Sequence, residues 1–176
     1  MKRIFLLSVF LSLSILVGFS IGPDSTQNEG VFGGGNMVQI GLVVKDIKKT
    51  SQAYADFLCV DVPQWFLTDT LDKAHTEFRG NSTPAQAKLA FFQLNNITIE
   101  LIEPVGGPST WQEFLDTHGE GVHHIAFEIK GMEEKIKKLA AKDMVLIQKG
   151  DYEGGRYSYI DASSSLCVLL ELLENY

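Results

Sequence analysis

The sequence predicts an α+β fold in which one strand–helix–strand–strand–strand unit occurs twice. Two internal matches indicate the duplication. QIGLVVKDIKK (39–49) aligns with HIAFEIKGMEE (124–134), and ITIELIEP (97–104) aligns with VLLELLEN (168–175). Repeats of this kind are typical of two copies of one supersecondary unit. Each copy is too small to bury a good core alone, so the two copies are expected to pack together.

Each copy opens with a strand that runs into a helix. The helices are IKKTSQAYADFL (47–58) and MEEKIKKLAAKD (132–143), both with apolar residues at helical spacing. The remaining strands are predicted at QWFLTDT (64–70), KLAFFQL (88–94), VLIQK (145–149) and RYSYID (156–161). The folded part then divides into a first module, residues 37–105, and a second module, residues 120–176.

The first 36 residues are predicted to precede the folded unit. Lys2 and Arg3 are followed by the apolar run IFLLSVFLSLSILV and then by small residues, so residues 1–21 are typical of a secretory signal peptide. The run is also long enough for an uncleaved membrane anchor. Residues 22–36 are polar and glycine-rich, as in a flexible linker. We therefore expect an exported protein, periplasmic or secreted, or one anchored at the membrane.

Charge and cysteine content exclude several function classes. The formal net charge is −7, which argues against a nucleic-acid partner. Cys59 and Cys167 form no CxxC pair, so a thiolate zinc site and thioredoxin chemistry are poorly supported. The two cysteines either form a disulfide in an oxidising compartment or remain buried free thiols, and the second alternative is favoured.

Polar residues interrupt four apolar strands at equivalent positions of the two modules. These residues are Gln39 and Glu100 in the first module, and His124 and Glu171 in the second. A buried carboxylate without a partner costs free energy, and here two of them occur at symmetric positions with an imidazole and an amide. The pattern predicts that a cation binds the four side chains.

Three longer motifs carry a resemblance to a known superfamily. They are KLAFFQLNNITIELIEP (88–104), FLDTHGEGVHHIAFEI (114–129) and GGRYSYID (154–161), the last followed by VLLELLEN. Together they resemble the vicinal oxygen chelate superfamily of glyoxalase I, methylmalonyl-CoA epimerase and extradiol dioxygenases. The resemblance covers residues 37–176. It implies two βαβββ modules whose mixed sheet curves into an open cup, the glyoxalase/bleomycin resistance/dioxygenase fold.

The resemblance also implies one divalent metal ion, of Zn, Ni, Co, Mn or Fe, held by Gln39, Glu100, His124 and Glu171. Of the two adjacent histidines, His124 is the expected ligand because it aligns with Gln39, and His123 is expected to pack or hydrogen-bond behind the strand. The epimerase pattern has a histidine where this chain has Gln39, whereas the whole set resembles zinc-type glyoxalase I. The branch of the superfamily therefore stays open.

The implied activity is that of a metal-dependent isomerase, epimerase or lyase of the glyoxalase type acting on a small hydroxy-carbonyl substrate. Proton transfer would pass through a metal-stabilised enediolate, with Glu171 as the base and Glu100 as its opposite partner. Val43 and Glu120 occupy the positions that match the glutathione-binding arginines of glyoxalases, which argues against glutathione. Export argues separately against glutathione and coenzyme A thioesters.

Four further residues are candidates for substrate contacts. The polar segment 69–86 forms either a lid over the cup, with His75 and Arg79 touching substrate, or a plain surface loop. Arg156 and Tyr159 follow a glycine turn and are expected near the rim of the cavity.

Two other functions remain open on the same fold. A non-catalytic small-molecule-binding protein is one, although such relatives lack the metal ligands. An iron-dependent dioxygenase is the other, but its site uses two histidines and one carboxylate, and Gln39 occupies one of the histidine positions. The exposed strand edges of a two-module cup also favour a homodimer.

Overall fold

A computed structural model of the chain describes residues 30–33 and 35–176. The predicted signal peptide and most of the predicted linker lie outside the described residues. The predicted fold class is confirmed, because the described chain forms one curved mixed sheet with few helices. The strands are β1 (Asn36–Val43), β2 (Phe66–Leu67), β3 (Glu77–Phe78), β4 (Asn81–Ser82), β5 (Gln86–Gln93), β6 (Thr98–Val105), β7 (Gly121–Glu128), β8 (Val145–Tyr152), β9 (Gly155–Asp161) and β10 (Leu169–Asn175). The helices are α1 (Ile47–Leu58), α2 (Leu71–Ala74), α3 (Thr110–His118), α4 (Met132–Ala140) and α5 (Ser163–Leu166).

The sheet shows the duplication directly. Its strand order is β2-β5-β6-β1-β7-β10-β9-β8-β3-β4, so strands of the two repeats meet at β1 and β7. These two strands pair antiparallel, while each pairs in parallel with the closing strand of its own repeat, β6 or β10. The opening and closing strands of both repeats therefore lie side by side at the centre of the sheet.

Helix α1 spans the predicted residues 47–58, and its ends have clear local causes. The Asp46 carboxylate accepts a hydrogen bond from the backbone N–H of Lys49, which caps the first turn. Cys59 ends the helix in a left-handed conformation with φ of 55°. Ile47 and Ala55 are buried on the face that packs against β5 and β6.

The polar segment 69–86 belongs to the first repeat but pairs with a strand of the second repeat. The strand predicted at residues 64–70 is limited to Phe66–Leu67. The chain then turns through α2, and β3 pairs antiparallel with β8 of the second repeat, Glu77 opposite Lys149 and Phe78 opposite Gln148. We call residues 69–86 the crossing segment. Its pairing covers the edge of β8 at Gln148 and Lys149.

The two cysteines differ from the favoured expectation of buried thiols. Cys59 and Cys167 are both free, and both are exposed. Each follows the last residue of a helix with a positive φ, 55° and 60° respectively, and this helix-ending position places its side chain outside the core.

The described part of the chain contains no helix that is both long and apolar enough to cross a bilayer.

Shortening Leu172 to alanine is expected to lower the free energy of unfolding by about 2–5 kcal/mol. Leu172 is fully buried on β10 and belongs to the core between the second-repeat strands and α4, so the truncation leaves a cavity that close-packed neighbours fill poorly. Denaturant unfolding measures the change. Leu166→Ala is the control, because Leu166 is 52% exposed and its truncation should change stability by less than about 0.5 kcal/mol. Equal losses in the two variants would contradict the assigned core.

Candidate metal centre

The four predicted ligands lie on the four central strands of the sheet, β6, β1, β7 and β10. Two sets of directly paired residues run across these strands, and in each set two candidate ligands flank one small residue. The sets are Glu100–Gly41–His124 and Gln39–Ala126–Glu171. Because each set joins both repeats, the duplication itself brings the four polar side chains to one point.

The side-chain atoms of the four residues converge closely. The Gln39 amide Nε2 donates to Glu100 Oε2 at 2.7 Å and to Glu171 Oε2 at 3.4 Å. His124 Nε2 lies 3.1 Å from Glu171 Oε2 and 3.4 Å from Glu100 Oε2. The donor atoms of Glu100, His124 and Glu171 all lie within 4.8 Å of one another, and all three residues are buried.

The two carboxylates are placed where a negative charge is costly. Burial of Glu100, and then the neighbouring charge of Glu171, raise the pKa of Glu100 well above its ordinary value, while the hydrogen bond from Gln39 opposes the shift. Two acidic groups that share one buried point are stabilised in their charged form by a cation between them.

The donor set fits a divalent metal ion. His124 Nε2 is fully buried and close to both carboxylates, but it makes no hydrogen bond of acceptable geometry. Such an unsatisfied nitrogen is suited to coordinate an ion. Rotation of the Gln39 amide by half a turn would exchange its nitrogen for its oxygen and complete four donors. Glu100, His124, Glu171 and Gln39 would then hold the ion with three oxygens and one nitrogen, a set that divalent transition metals accept.

His123 contacts the candidate centre through its neighbour. Its Nδ1 lies 3.0 Å from Nδ1 of His124, so one ring donates and the other accepts. When His124 carries the proton on Nδ1, its Nε2 keeps a free lone pair directed at the two carboxylates. Tyr159 packs against both imidazoles, with ring centroids 5.2 and 5.0 Å away. His123 was expected to pack or hydrogen-bond behind the strand, and in the structure its hydrogen-bonding partner is His124 itself.

Gly41 supplies the space that the His124 ring occupies. A Cβ atom built on Gly41 would lie 2.0 Å from His124 Cε1 and 2.4 Å from Nε2, far inside contact distance. Sequence comparison within the chain aligns Gly41 with Ala126 but gives no sign that the glycine is sterically required. The requirement follows from the register that places Gly41 directly opposite His124.

Gly41→Ala is therefore expected to displace the His124 ring and to weaken metal binding by about 10–100-fold, the range seen when a ligand loses its orientation. Titration of the chelator-treated protein with Zn²⁺ or Co²⁺ measures the affinity. Gly30→Ala is the matched control, because a Cβ at Gly30 meets no atom within 4 Å. Unchanged affinity in Gly41→Ala would remove His124 from the proposed ligand set.

The candidate centre forms the floor of a cavity of about 620 Å³. This volume suits a small organic ligand. Gln39, Glu100 and Glu171 face the cavity directly. The other lining residues come from β2 and the residue after it, the crossing segment, β5, α3, the β8–β9 hairpin and β10: Phe66, Leu67, Thr68, Asp69, Ala74, Thr76, Leu89, Phe91, Trp111, Asp151, Tyr152, Glu153, Tyr157, Tyr159 and Leu173.

The four candidate substrate contacts have different positions. Tyr159 lines the cavity, and its hydroxyl accepts a hydrogen bond of 3.1 Å from Trp111 Nε1. The other three candidates are not among the residues that line the cavity, and each contacts an acidic side chain. These contacts are His75 with Asp151 at 2.9 Å, Arg79 with Glu113 at 2.7 Å, and Arg156 with Glu174 at 2.7 Å, and of the three partners only Asp151 lines the cavity.

Sequence reasoning missed most of the cavity wall. Trp111 comes from α3, which lies between the two repeats, and Asp69 and Thr76 come from the crossing segment. Neither region belongs to the repeated unit, so the internal alignment carried no signal for either.

Comparisons with known proteins agree with this architecture. An uncharacterized protein of Bacillus subtilis, YqjC, is 33% identical over 92 residues, which cover 51% of this chain and 66% of that relative, so the chain spans just under two thirds of its length. Among solved structures, a hypothetical protein from Bacillus halodurans C-125 has a TM-score of 0.58 and 24% identity, with 81% of this chain and 96% of that chain covered. Methylmalonyl-CoA epimerase from Mycobacterium tuberculosis has a TM-score of 0.52 and 20% identity, with 80% and 88% covered.

The structural likenesses show the fold alone, but a family model matches this chain directly over residues 38–160. Glu171 lies beyond the matched residues, so its place in the centre rests on the geometry given above. The matched span contains both central β1 and β7 strands and the first three candidate ligands. The chain accordingly belongs to the glyoxalase/bleomycin resistance protein/dioxygenase superfamily.

Proposed function

We propose that this protein is a divalent-metal-dependent isomerase or epimerase of the glyoxalase type, acting on a small hydroxy-carbonyl compound. The observation that carries the proposal is the convergence of Gln39, Glu100, His124 and Glu171 on one point at the floor of the cavity. Superfamily membership and the shared fold of the epimerases support the reaction class.

The two glutamates have the arrangement that proton transfer needs. A bound divalent ion would supply Lewis acidity to the neighbouring oxygens of the substrate. Glu171 and Glu100 come from different repeats, and both face the cavity, so a substrate bound at the ion would lie within reach of either carboxylate. Glu171 takes the proton as general base, and Glu100 is the partner on the opposite side.

A non-catalytic binding protein is the alternative on the same cavity. It would need no pair of buried carboxylates, and keeping two such groups within contact of one imidazole costs stability in a protein that only sequesters a ligand. The dioxygenase alternative is weaker, because the centre contains one histidine ligand, two carboxylates and an amide.

Export remains part of the proposal. It rests on the charged and apolar pattern of residues 1–21, which precede the described residues. Cleavage of that segment would release the folded part outside the cytoplasm.

Hydrogen exchange at the substrate tests the proposed function. The full chain is chelated, reloaded with Zn²⁺, Ni²⁺, Co²⁺, Mn²⁺ or Fe²⁺, and incubated in D₂O with small hydroxy-carbonyl compounds. Reloaded protein should incorporate deuterium at the carbon beside the carbonyl, and chelated protein should not. Stoichiometric metal with no exchange on any compound, or no bound metal after purification without chelators, would favour the binding protein.

A further inference from the structure

We propose that the cavity accepts substrates that carry no anionic group, with an apolar or aromatic body and the reacting oxygens at one end. The inference rests on the proposed function only for the placement of those oxygens at the floor. The apolar or aromatic body and the lack of an anionic group are inferred from the shape and charge of the cavity walls.

The walls are apolar and aromatic above the candidate centre. The aromatic side chains that line them are Phe66, Phe91, Trp111, Tyr152, Tyr157 and Tyr159. Burial raises the pKa of both Tyr152 and Tyr157 to about 12, so their hydroxyls stay neutral in the physiological range. Such walls bury an apolar or aromatic ligand body, which is what gives small-molecule cavities most of their affinity.

Carboxylates supply all of the formal charge in the lining. Apart from Glu100 and Glu171 at the floor, the lining includes Asp69, Asp151 and Glu153. No lysine, arginine or histidine is among the cavity-lining residues in the described ranges 30–33 and 35–176. A carboxylate or phosphate on the body of a ligand would therefore meet like charges and find no cationic side chain on the walls to pair with.

Two basic side chains outside the lining contact carboxylates of this wall. Lys73 lies 3.7 Å from Asp69, and His75 lies 2.9 Å from Asp151. Lys73 and His75 together balance at most two of the three wall carboxylates Asp69, Asp151 and Glu153, so the wall keeps a net negative charge. Coenzyme A thioesters and glutathione conjugates bring several anionic groups each, so the structure argues against them independently of where the protein is located.

Matched probes test the inference by binding alone. The probes are 2-hydroxyacetophenone and its 4-carboxylate and 4-trimethylammonium derivatives, and titration calorimetry on the metal-loaded full chain gives each affinity. The carboxylate derivative should bind at least about tenfold more weakly than the parent, because like charges face each other, and the trimethylammonium derivative should bind at least as tightly. Asp69→Asn with Glu153→Gln should narrow this gap, whereas Glu113→Gln with Asp116→Asn, which removes the same two charges on α3 outside the lining, should leave it unchanged.

Equal or tighter binding of the carboxylate derivative overturns the inference, and so does failure of the uncharged parent to bind. Exchange in D₂O, measured on the same samples, separates this result from the proposed function. If the probes differ in affinity by charge but no deuterium is incorporated, the cavity excludes anionic ligands and the proposed isomerase activity is wrong. If deuterium is incorporated but the carboxylate derivative binds as tightly as the parent, the isomerase activity stands and the inference about charge is wrong.

Discussion

Glu171→Gln should abolish proton exchange while the metal ion stays largely bound. Glutamine keeps an oxygen that can face the ion but cannot accept a proton, so removal of the general base should slow exchange by about 10²–10⁴-fold. The substitution preserves the shape of the side chain at the floor, where Glu171 lies 3.1 Å from His124 Nε2. Exchange rates in D₂O and metal content of the same preparation measure the two effects.

Glu113→Gln is the control for this variant. Glu113 is exposed on α3 and pairs with Arg79 outside the cavity, so its substitution should leave both exchange and metal content unchanged. Wild-type exchange in Glu171→Gln would show that another group is the base. Complete loss of the metal would show that Glu171 acts chiefly as a ligand.

Removal of the metal should make the stability of the protein depend on pH. Glu100 has a folded-state pKa well above its ordinary value of 4.5, because it is buried and faces Glu171. The folded state therefore binds a proton that the unfolded state releases above about pH 4.5. The free energy of unfolding of the chelated protein should fall as pH rises from there through the folded pKa, by at most about 1.4 kcal/mol per pH unit for this one proton.

A divalent ion should reverse this loss, since it replaces the proton as the partner of the carboxylates. Added metal should thus raise the melting temperature more at pH 8 than at pH 5. In the chelated protein, Glu100→Gln should flatten the decline relative to wild type, while Glu113→Gln should not. Parallel pH profiles for chelated wild type and Glu100→Gln would contradict the assigned environment of Glu100.

Local sequence periodicity was sufficient to predict the bounds of an element whose ends depend only on nearby residues. Helix α1 has the predicted bounds because Asp46 and Cys59 supply both of its ends within the local sequence. The strand predicted at residues 64–70 shortens to two residues, because the chain leaves β5 early to reach β8 of the other repeat. The length of this strand depends on pairing between segments that are distant in sequence, so the local sequence pattern could not predict it.

The candidate ligands were predictable because the duplication places them at equivalent strand positions, and strand alternation marks which face they share. The steric role of Gly41 was not, since it depends on the register between β1 and β7. The substrate-contact candidates His75, Arg79 and Arg156 were plausible as polar residues of the expected lid and cavity rim. Their acidic partners lie between 18 and 76 positions away in sequence, so only the folded chain shows that they are engaged.

The most direct test is a crystal of the metal-loaded protein, measured at and below the absorption edge of the added metal. An anomalous difference peak should appear between Glu100, His124 and Glu171, with the Gln39 amide oxygen turned towards it. Side chains that stay in hydrogen-bonded contact with no peak among them, in a crystal grown with excess metal, would contradict the metal centre and leave only the superfamily fold.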